Sequence, residues 1–334
     1  MKKIIMEIST DIAKTALVEN GKLIEILIDD KNKLSMVGNV YCGKVADIFK
    51  DFAFIDIGGG KKIFLQQSQA LKPGQLIIVQ VLKDESKGKN AFGTMDIELV
   101  GTYIILKKDG STRLRTAGKT AKSEDIEDEL ITLRARMEGI FVLEKNHGIV
   151  YSQNADKPIY YNSLKALLRE ELDQIVVNKD LEIISEIAQG VSVVLRNDDI
   201  FNEFEINHQL EQALKKKVWL RSGGFLIIEP TEALTVIDVN TGKLTARKKG
   251  IILKNNMEAA KEIAKQLRLR NLSGIIIIDF VNMDNIEDKQ ILLSCLKQEV
   301  KKDRIICNVV GITTLGLVEM TRKKTTLPIA SFGL

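Results

Sequence analysis

The chain has 334 residues, 45% hydrophobic and 28% charged, with 4 prolines and a formal net charge of +4 from 49 basic and 45 acidic side chains. That composition excludes a disordered or low-complexity chain and leaves room for two or three compact units. So small a charge does not define a nucleic-acid protein, although it permits one if the basic residues cluster.

Three cysteines, Cys42, Cys295 and Cys307, are too scattered for a zinc knuckle or a redox pair, and a sparse, odd count fits a reducing compartment. The opening "MKKIIMEISTDIAK" is interrupted by Glu7 and Asp11, which makes it too short and polar for a signal peptide. No stretch approaches the length of a membrane span. The expected location is the cytoplasm, with no membrane partner.

Taken in chain order, "KIIMEIS" and "AKTALVENGKLIEILID" read as strands around a turn at Asn20–Gly21. From "MVGNVYCGKVADIFKDFAFIDIGGGKKIFLQQ" to "GQLIIVQVLKD" come short strands at close spacing, the pattern of a small barrel, followed by the charged loop "KDESKGKN". "TYIILKKDGSTRLRTAG" adds strands, and "SEDIEDELITLRARMEGI" has the acidic start and apolar spacing of a helix. "DQIVVNKDLEIISEIAQ" predicts a strand leading into a helix, and "INHQLEQALKKKVWL" a helix ending in lysines, with Trp219 in the core. From about Ser222 the order strand, strand, helix, strand, helix, strand is α/β material. There is no internal repeat.

Two of these last strands, "LTVIDVNTG" and "GIIIIDFVNM", are apolar runs tipped by Asp238 and Asp279. Burying a carboxylate without a partner is unfavourable, so each needs a reason. Residues two apart on a strand share a face, which puts Asn240 beside Asp238. "NNMEAAKEIAKQLRLRNLSG" predicts a helix with Asn256 as its N-cap and Gly274 closing the turn beyond it, leading into a strand apolar on both faces. A strand–helix–strand unit brings both carboxyl ends to one sheet edge, where α/β sheets bind ligands. Two carboxylates and an amide are hard oxygen donors suited to magnesium or manganese. The plain alternative is that each Asp caps the loop after its strand, and spacing alone leaves the two readings even. Basic residues lie nearby: Arg268 and Arg270 at the helix end, and Arg322, Lys323 and Lys324 in "TRKK", where a helix-end charge and a solvated tail are the plain alternatives.

The stretches "SGGFLIIEPTEALTVIDVNTG", "NMEAAKEIAKQLRLRNLSGIIIIDF" and "GLVEMTRKK" closely resemble the ribonuclease E/G family. Upstream, "GNVYCGKVADIFKDFAFIDIGGGKKIFL" is similar to the family's OB-fold RNA-binding module, and "GTYIILKK" with "RLRTAG" to its sensor for the 5′ end of RNA. The resemblance implies an α/β fold of several subdomains. Residues 1–35 and 152–221 would form an RNase H-like part, 36–100 an inserted OB-fold, 101–151 the 5′ sensor, and 222–334 a DNase I-like catalytic subdomain. It implies a metal-dependent endoribonuclease acting on single-stranded RNA in ribosomal RNA processing or messenger turnover, by attack of a magnesium-activated water on the phosphodiester.

By motif match, Asp238 and Asp279 hold the Mg2+ (Mn2+ also fits such donors) and Asn240 supports the catalytic site. Phe54, Phe64 and Lys89 match RNA-binding residues, the plain alternative being that the two rings fill the barrel. Gly101, Arg115 and Thr116 match the pocket for a 5′-monophosphate, where an arginine holds phosphate bidentately and a threonine adds one bond. Three departures stand out. No cysteine pair follows "EMTRKK", so no zinc site is visible and the family's homo-oligomer is left open. The segment between Leu106 and Arg113 is short. Asn282 stands where an acidic residue is common, with no metal role read for it.

Two other classes compete. An RNA-binding protein of the same fold with weak or no catalysis is the alternative if the zinc link and C-terminal domain are missing. Retention of Asp238, Asn240 and Asp279 places it second. An actin-like ATPase or sugar kinase is suggested by "IDIGGGKK", but that loop comes too early in the chain and is more simply a turn between strands.

Overall fold

The computed structural model describes residues 1–33, 35–66, 71–85, 88–143, 147–152, 157–196, 199–242 and 250–332. The chain divides into two compact units, one made of Met1–Asn32 and Ile159–Leu334, the other of Lys33–Pro158. Part of the predicted "KDESKGKN" loop lies outside the described residues.

The first unit begins with strands β1 (Lys2–Ile8), β2 (Ile12–Glu19) and β3 (Lys22–Asp30). Asn20 and Gly21 between β2 and β3 have φ of 49° and 74°, the paired left-handed conformation of a tight hairpin turn.

In the second unit, β4 (Val40–Ile48), β5 (Phe52–Asp56), β6 (Lys62–Gln66), β7 (Leu76–Lys83) and β8 (Ala91–Thr94) pair in the order β4-β5-β6-β8-β7, and β7 pairs back to β4. The five strands thus close a barrel in which β6 and β8 run parallel. Alternate residues turn inward, so Ala53, Ile55, Ile63, Leu65, Val79 and Val81 fill its core. Strands β9 (Glu98–Val100), β10 (Ile104–Lys107) and β11 (Thr112–Leu114) make a small antiparallel sheet. Helix α1 (Ser123–Val142) buries Leu133, Met137 and Ile140 together with Leu99, Ile104 and Leu106, and β12 (Gly148–Tyr151) joins the edge of β4.

The first unit then resumes with α2 (Tyr161–Leu167), β13 (Gln174–Val177), α3 (Leu181–Ile187), β14 (Val193–Leu195), α4 (Ile200–Glu203) and α5 (Ile206–Leu214). These complete a five-stranded sheet, β14-β13-β1-β2-β3, with β1, β13 and β14 parallel. Ile4, Met6 and Ile8 pack with α2 and α3 on one face, and Ile5 with α4 and α5 on the other. Covering both faces explains why β1 is apolar throughout its middle rather than alternating.

A six-stranded sheet ends the chain: β15 (Lys217–Trp219), β16 (Phe225–Pro230), β17 (Leu234–Asn240), helix α6 (Ile251–Leu269), β18 (Gly274–Asp279), helix α7 (Ile286–Val300), β19 (Cys307–Ile312) and β20 (Val318–Arg322). Its order is β15-β16-β17-β18-β20-β19. α6 and α7 cover one face through Ala259, Ile263, Leu267, Leu292 and Leu296. The other face keeps Val236, Ile275 and Val310 exposed.

Several expectations are corrected by this layering. β18 is apolar on both sides in sequence, yet only Ile276 and Ile278 are buried, while Ile275 lies on the open face. Trp219 is not core: it is 64% exposed on that face. Asn256 is not an N-cap, because α6 starts at Ile251 and Asn256 lies buried within it. The turn after α6 is made by Asn271, with φ 50°, and Gly274, with φ 90°, opens the strand that follows. Arg322 is no solvated tail: it is fully buried, donating from Nε to Asp303 (2.8 Å) and from Nη1 to Asn271 (2.8 Å) and the Leu272 carbonyl (3.0 Å). Arg270 is buried too, donating to Gln266 and to the Lys215 carbonyl. Both guanidiniums are therefore internal braces rather than surface charge.

One carboxylate in the five-stranded sheet opposes folding at neutral pH. Burial pushes the Asp29 carboxyl from 3.8 up to about 6, against the pull of its hydrogen bond with Ser163, and its Oδ2 has no partner among the described residues. A raised carboxylate pKa means that the folded state prefers the protonated form. Its contribution is fully present below about pH 4 and is lost as pH rises through about 6. Asp29→Asn is expected to raise stability at pH 7.5 by about 1–3 kcal/mol and to flatten the dependence between pH 4 and 6, read from urea midpoints across that range.

Candidate active site

The parallel pair β17–β18 sets Asp238 directly opposite Asp279, the last of five successive partners that begin with Leu234 and Ile275. Facing residues on adjacent strands lie on the same side of the sheet, about 4.8 Å apart along the hydrogen-bonding direction. Both carboxylates are on the open face and exposed. The concern about buried charge therefore disappears: the sheet buries Ile237 and Ile278 toward the helices and turns Asp238 and Asp279 to solvent. Asn240, two residues beyond Asp238, donates from Nδ2 to Asp238 Oδ2 at 2.7 Å. That bond orients the carboxylate, which stays open to solvent.

The surroundings hold this edge in place. Asn256 on α6 donates from Nδ2 to the Val281 carbonyl (2.7 Å) and accepts from the Val281 N–H at Oδ1 (3.2 Å). It clamps the backbone two residues past Asp279. Glu258, one half-turn on, accepts from the N–H groups of Arg221 (2.7 Å) and Ser222 (3.2 Å), tying down the β15–β16 turn. In that turn Gly224 is required by proximity, because a Cβ there would lie 2.7 Å from the Asn240 carbonyl oxygen. Sequence reasoning missed Asn256 and Glu258 as positioning residues. The available signal was the apolar "IILK" just before the two asparagines, which extends the helix pattern upstream and places them inside it, where asparagine is unfavourable unless its amide has a partner.

The other expected residues all lie in the second unit. Phe54 and Phe64 face each other on β5 and β6 with ring centroids 5.9 Å apart, and both point outward from the barrel. They are part of an aromatic row with Phe49, Phe52 and Phe92, so they do not fill the barrel core. Lys89 is exposed, and among the described residues Lys83 reaches this row, 5.9 Å from the Phe92 ring centroid. Arg115 donates to the carbonyls of Gly101 and Thr102, which brings it beside Gly101, while Thr116 follows at the start of a short 3-10 turn. The consecutive N–H groups of Thr102, Tyr103 and Ile104 all donate to the Glu129 carboxylate of α1. Sequence reasoning did not anticipate that internal anion.

This chain matches the model of the Ribonuclease E/G family over residues 98–325. It is 30% identical to Ribonuclease G of Salmonella typhimurium and to Ribonuclease G of Escherichia coli, each alignment spanning 97% of this chain and 80% of the relative. It is 31% identical to Ribonuclease E of Synechocystis sp., over 86% of this chain and 52% of the relative. The chain belongs to the ribonuclease E/G family. Its enzyme class is that of an endoribonuclease.

Asn256→Ala removes the clamp on Val281 without touching either aspartate. Its expected effect is a fall in kcat of roughly 10- to 100-fold with a much smaller change in KM, in the range seen for groups that orient functional side chains from behind. A matched thermal melt separates this from unfolding, since the lost hydrogen bonds are worth about 1–3 kcal/mol.

Proposed function

We propose that the chain is a metal-dependent endoribonuclease that cuts single-stranded RNA on the open face of the six-stranded sheet. Asp238 and Asp279 are its metal ligands and Asn240 orients Asp238. The observation that carries this reading is the shared register of the two aspartates on an exposed face. The donor set fits magnesium: two carboxylates, with room for water to complete the shell. No cluster of three or more metal-ligating side chains occurs among the described residues, so a carboxylate pair with water is the arrangement on offer. Manganese fits the same donors. When bound, the ion supplies Lewis-acid activation of a water and of a phosphoryl oxygen. The chain's own residues supply the rest: Asn240 holds Asp238 in one orientation, Asn256 fixes the strand exit beside Asp279, and the uncovered sheet admits an extended strand of RNA.

The finer architecture follows the same reading. Residues 36–100 are taken as an OB-fold, supported by the closed five-stranded barrel with its one parallel pair. Residues 1–35 and 152–221 are taken as an RNase H-like part, 101–151 as the 5′ sensor and 222–334 as a DNase I-like catalytic subdomain. The outward aromatic row with Phe54 and Phe64 suits base stacking, and Lys89 and Lys83 suit phosphate. Gly101, Arg115 and Thr116 are taken as the 5′-monophosphate pocket, next to the N–H groups that Glu129 now occupies. Ribosomal RNA processing or messenger turnover in the cytoplasm is the assigned setting. Three free cysteines suit that compartment, and among the described residues no helix is long and apolar enough to cross a membrane.

The test is a cleavage time course on a short AU-rich single-stranded RNA carrying a 5′-monophosphate, with magnesium, with manganese and with chelator. Cutting should require metal and should fall by about 100-fold or more in Asp279→Asn while RNA binding persists. Binding without cutting by the wild type in either metal would sink the nuclease reading and leave an RNA-binding protein.

A second measurement addresses the sensor. Glu129→Ala vacates three N–H groups beside Arg115, and the kcat/KM ratio of 5′-monophosphate to 5′-hydroxyl RNA is expected to rise about threefold or more. An unchanged ratio would mean that Glu129 only braces the loop.

A further inference from the structure

We infer that Trp219, with Phe225 and Lys217, forms a nucleobase-stacking subsite on the open face that carries Asp238 and Asp279, and that it takes an unpaired base of the RNA being cut. The inference rests on reading that face as the nuclease site.

Register puts these residues in line. Trp219 pairs with Phe225 across β15–β16, and Phe225 pairs with Asn240 across β16–β17. Directly opposed residues in an antiparallel pair share a face, so Trp219, Phe225 and Asn240 form one row across three strands. Two interstrand steps make that row about 10 Å wide. A base on Trp219 therefore belongs to a nucleotide close to the one whose phosphate meets the aspartates.

Among the described residues the ring packs on Phe225 and Lys217 rather than in the helix-covered core. Its neighbours Val218 and Leu220 turn toward the helix-covered core, while Trp219 is 64% exposed. Tryptophan is highly buried on average, so a bare indole beside a catalytic row needs a use. It is also held in place. Its ring meets Phe225 edge-on at 5.3 Å, and Lys217 Nζ sits 4.0 Å from the Trp219 centroid and 3.7 Å from the Phe225 centroid. The ammonium is attracted to both ring faces and so is positioned rather than free to sweep. A fixed aromatic plane next to a fixed cation is the pairing that single-stranded nucleic-acid sites use, the plane for a base and the cation for its phosphate. The positive charge and the continuity with the Asn240–Asp238 row favour RNA over a second copy of the chain.

Trp219 is the chain's single tryptophan, so emission excited at the red edge, where tyrosine does not absorb, reports on this position alone. The probe is the AU-rich RNA described above, titrated in chelator, against an oligomer of the same length carrying abasic riboses. Saturable quenching by the first and little by the second is expected. In steady state with magnesium, Trp219→Ala should raise KM about tenfold while leaving kcat within about twofold, and Trp219→Phe, which keeps a ring, should recover most of the loss. A wild type that cleaves without quenching, equal quenching by the abasic oligomer, or an unchanged KM in Trp219→Ala would overturn the subsite and leave the nuclease reading intact. Emission that follows protein concentration and ignores RNA would also overturn it, because a second copy would then cover the face. Quenching without any cleavage would support the subsite and remove the nuclease.

Discussion

The constraint on which the site depends is the parallel register of β17 and β18. A strand–helix–strand unit has limited freedom: α6 must bury its apolar stripe against the sheet it connects, and that packing fixes how far the second strand slides past the first. A slip of one residue would turn Asp279 toward Leu292 and Leu296 and bring Ile278 to solvent. The position of one carboxylate beside another is thus set by methyl groups on the opposite face. The buried Asn256 then secures the exit of β18 to the same helix that set its register. The register of the two aspartates on the open face and the packing on the closed one are a single arrangement.

The same logic accounts for the buried arginines. Arg322 ends β20 beneath the sheet and joins Asp303, Asn271 and the Leu272 carbonyl. Those partners are the turn after α6 and the approach to β19, so one guanidinium ties two connections to the end of β20, at the edge opposite the aspartates. A paired, fully hydrogen-bonded arginine is weak as a source of net stability, but removing either partner leaves an uncompensated buried charge. Arg304 plays a related part with Glu25 at 2.6 Å, linking the end of the six-stranded sheet to β3. Desolvation raises the Glu25 carboxyl, and the Arg304 charge opposes that rise.

What the sequence made legible was what depends on local pattern. The Asn20–Gly21 hairpin, helix α1 and the two aspartate-tipped strands follow from turn chemistry and periodicity, and each occurs in the structure. What it hid depends on which face of an element is covered. "GIIIIDF" carries apolar residues on both sides, and nothing in the string tells that only one side meets helices. Trp219 sits in "KVWL" among residues that are partly core, and its outward turn is decided by the pairing of β15 with β16. Asn256 precedes a helix-like run and so resembles a cap, but the helix begins earlier, at the left-handed Gly250. At the site, the three polar residues Asp238, Asn240 and Asp279 were visible as a group, whereas their supports, Asn256 and Glu258, lie on α6 and are recognised only by the backbone groups they reach.

Charge counting is a poor guide to how such a chain meets RNA. Of the 49 basic side chains, Arg270 and Arg322 are buried and Arg304 is spent on Glu25, so the surface holds fewer cations than the composition suggests. Electrostatic binding that depends on many phosphate contacts weakens steeply with salt, because each neutralised phosphate releases counterions. Stacking has no such dependence and is tolerant of sequence. On the proposed reading, the half-buried, outward aromatic row on the barrel and the Trp219–Phe225 pair on the six-stranded sheet would offer that second kind of contact on two units of the same chain. A chain with a net charge of only +4 that relies on aromatic planes and a carboxylate pair would hold unstructured RNA through its bases and cut it through its phosphates. Duplex RNA, whose bases are stacked on one another, offers the first of these surfaces nothing.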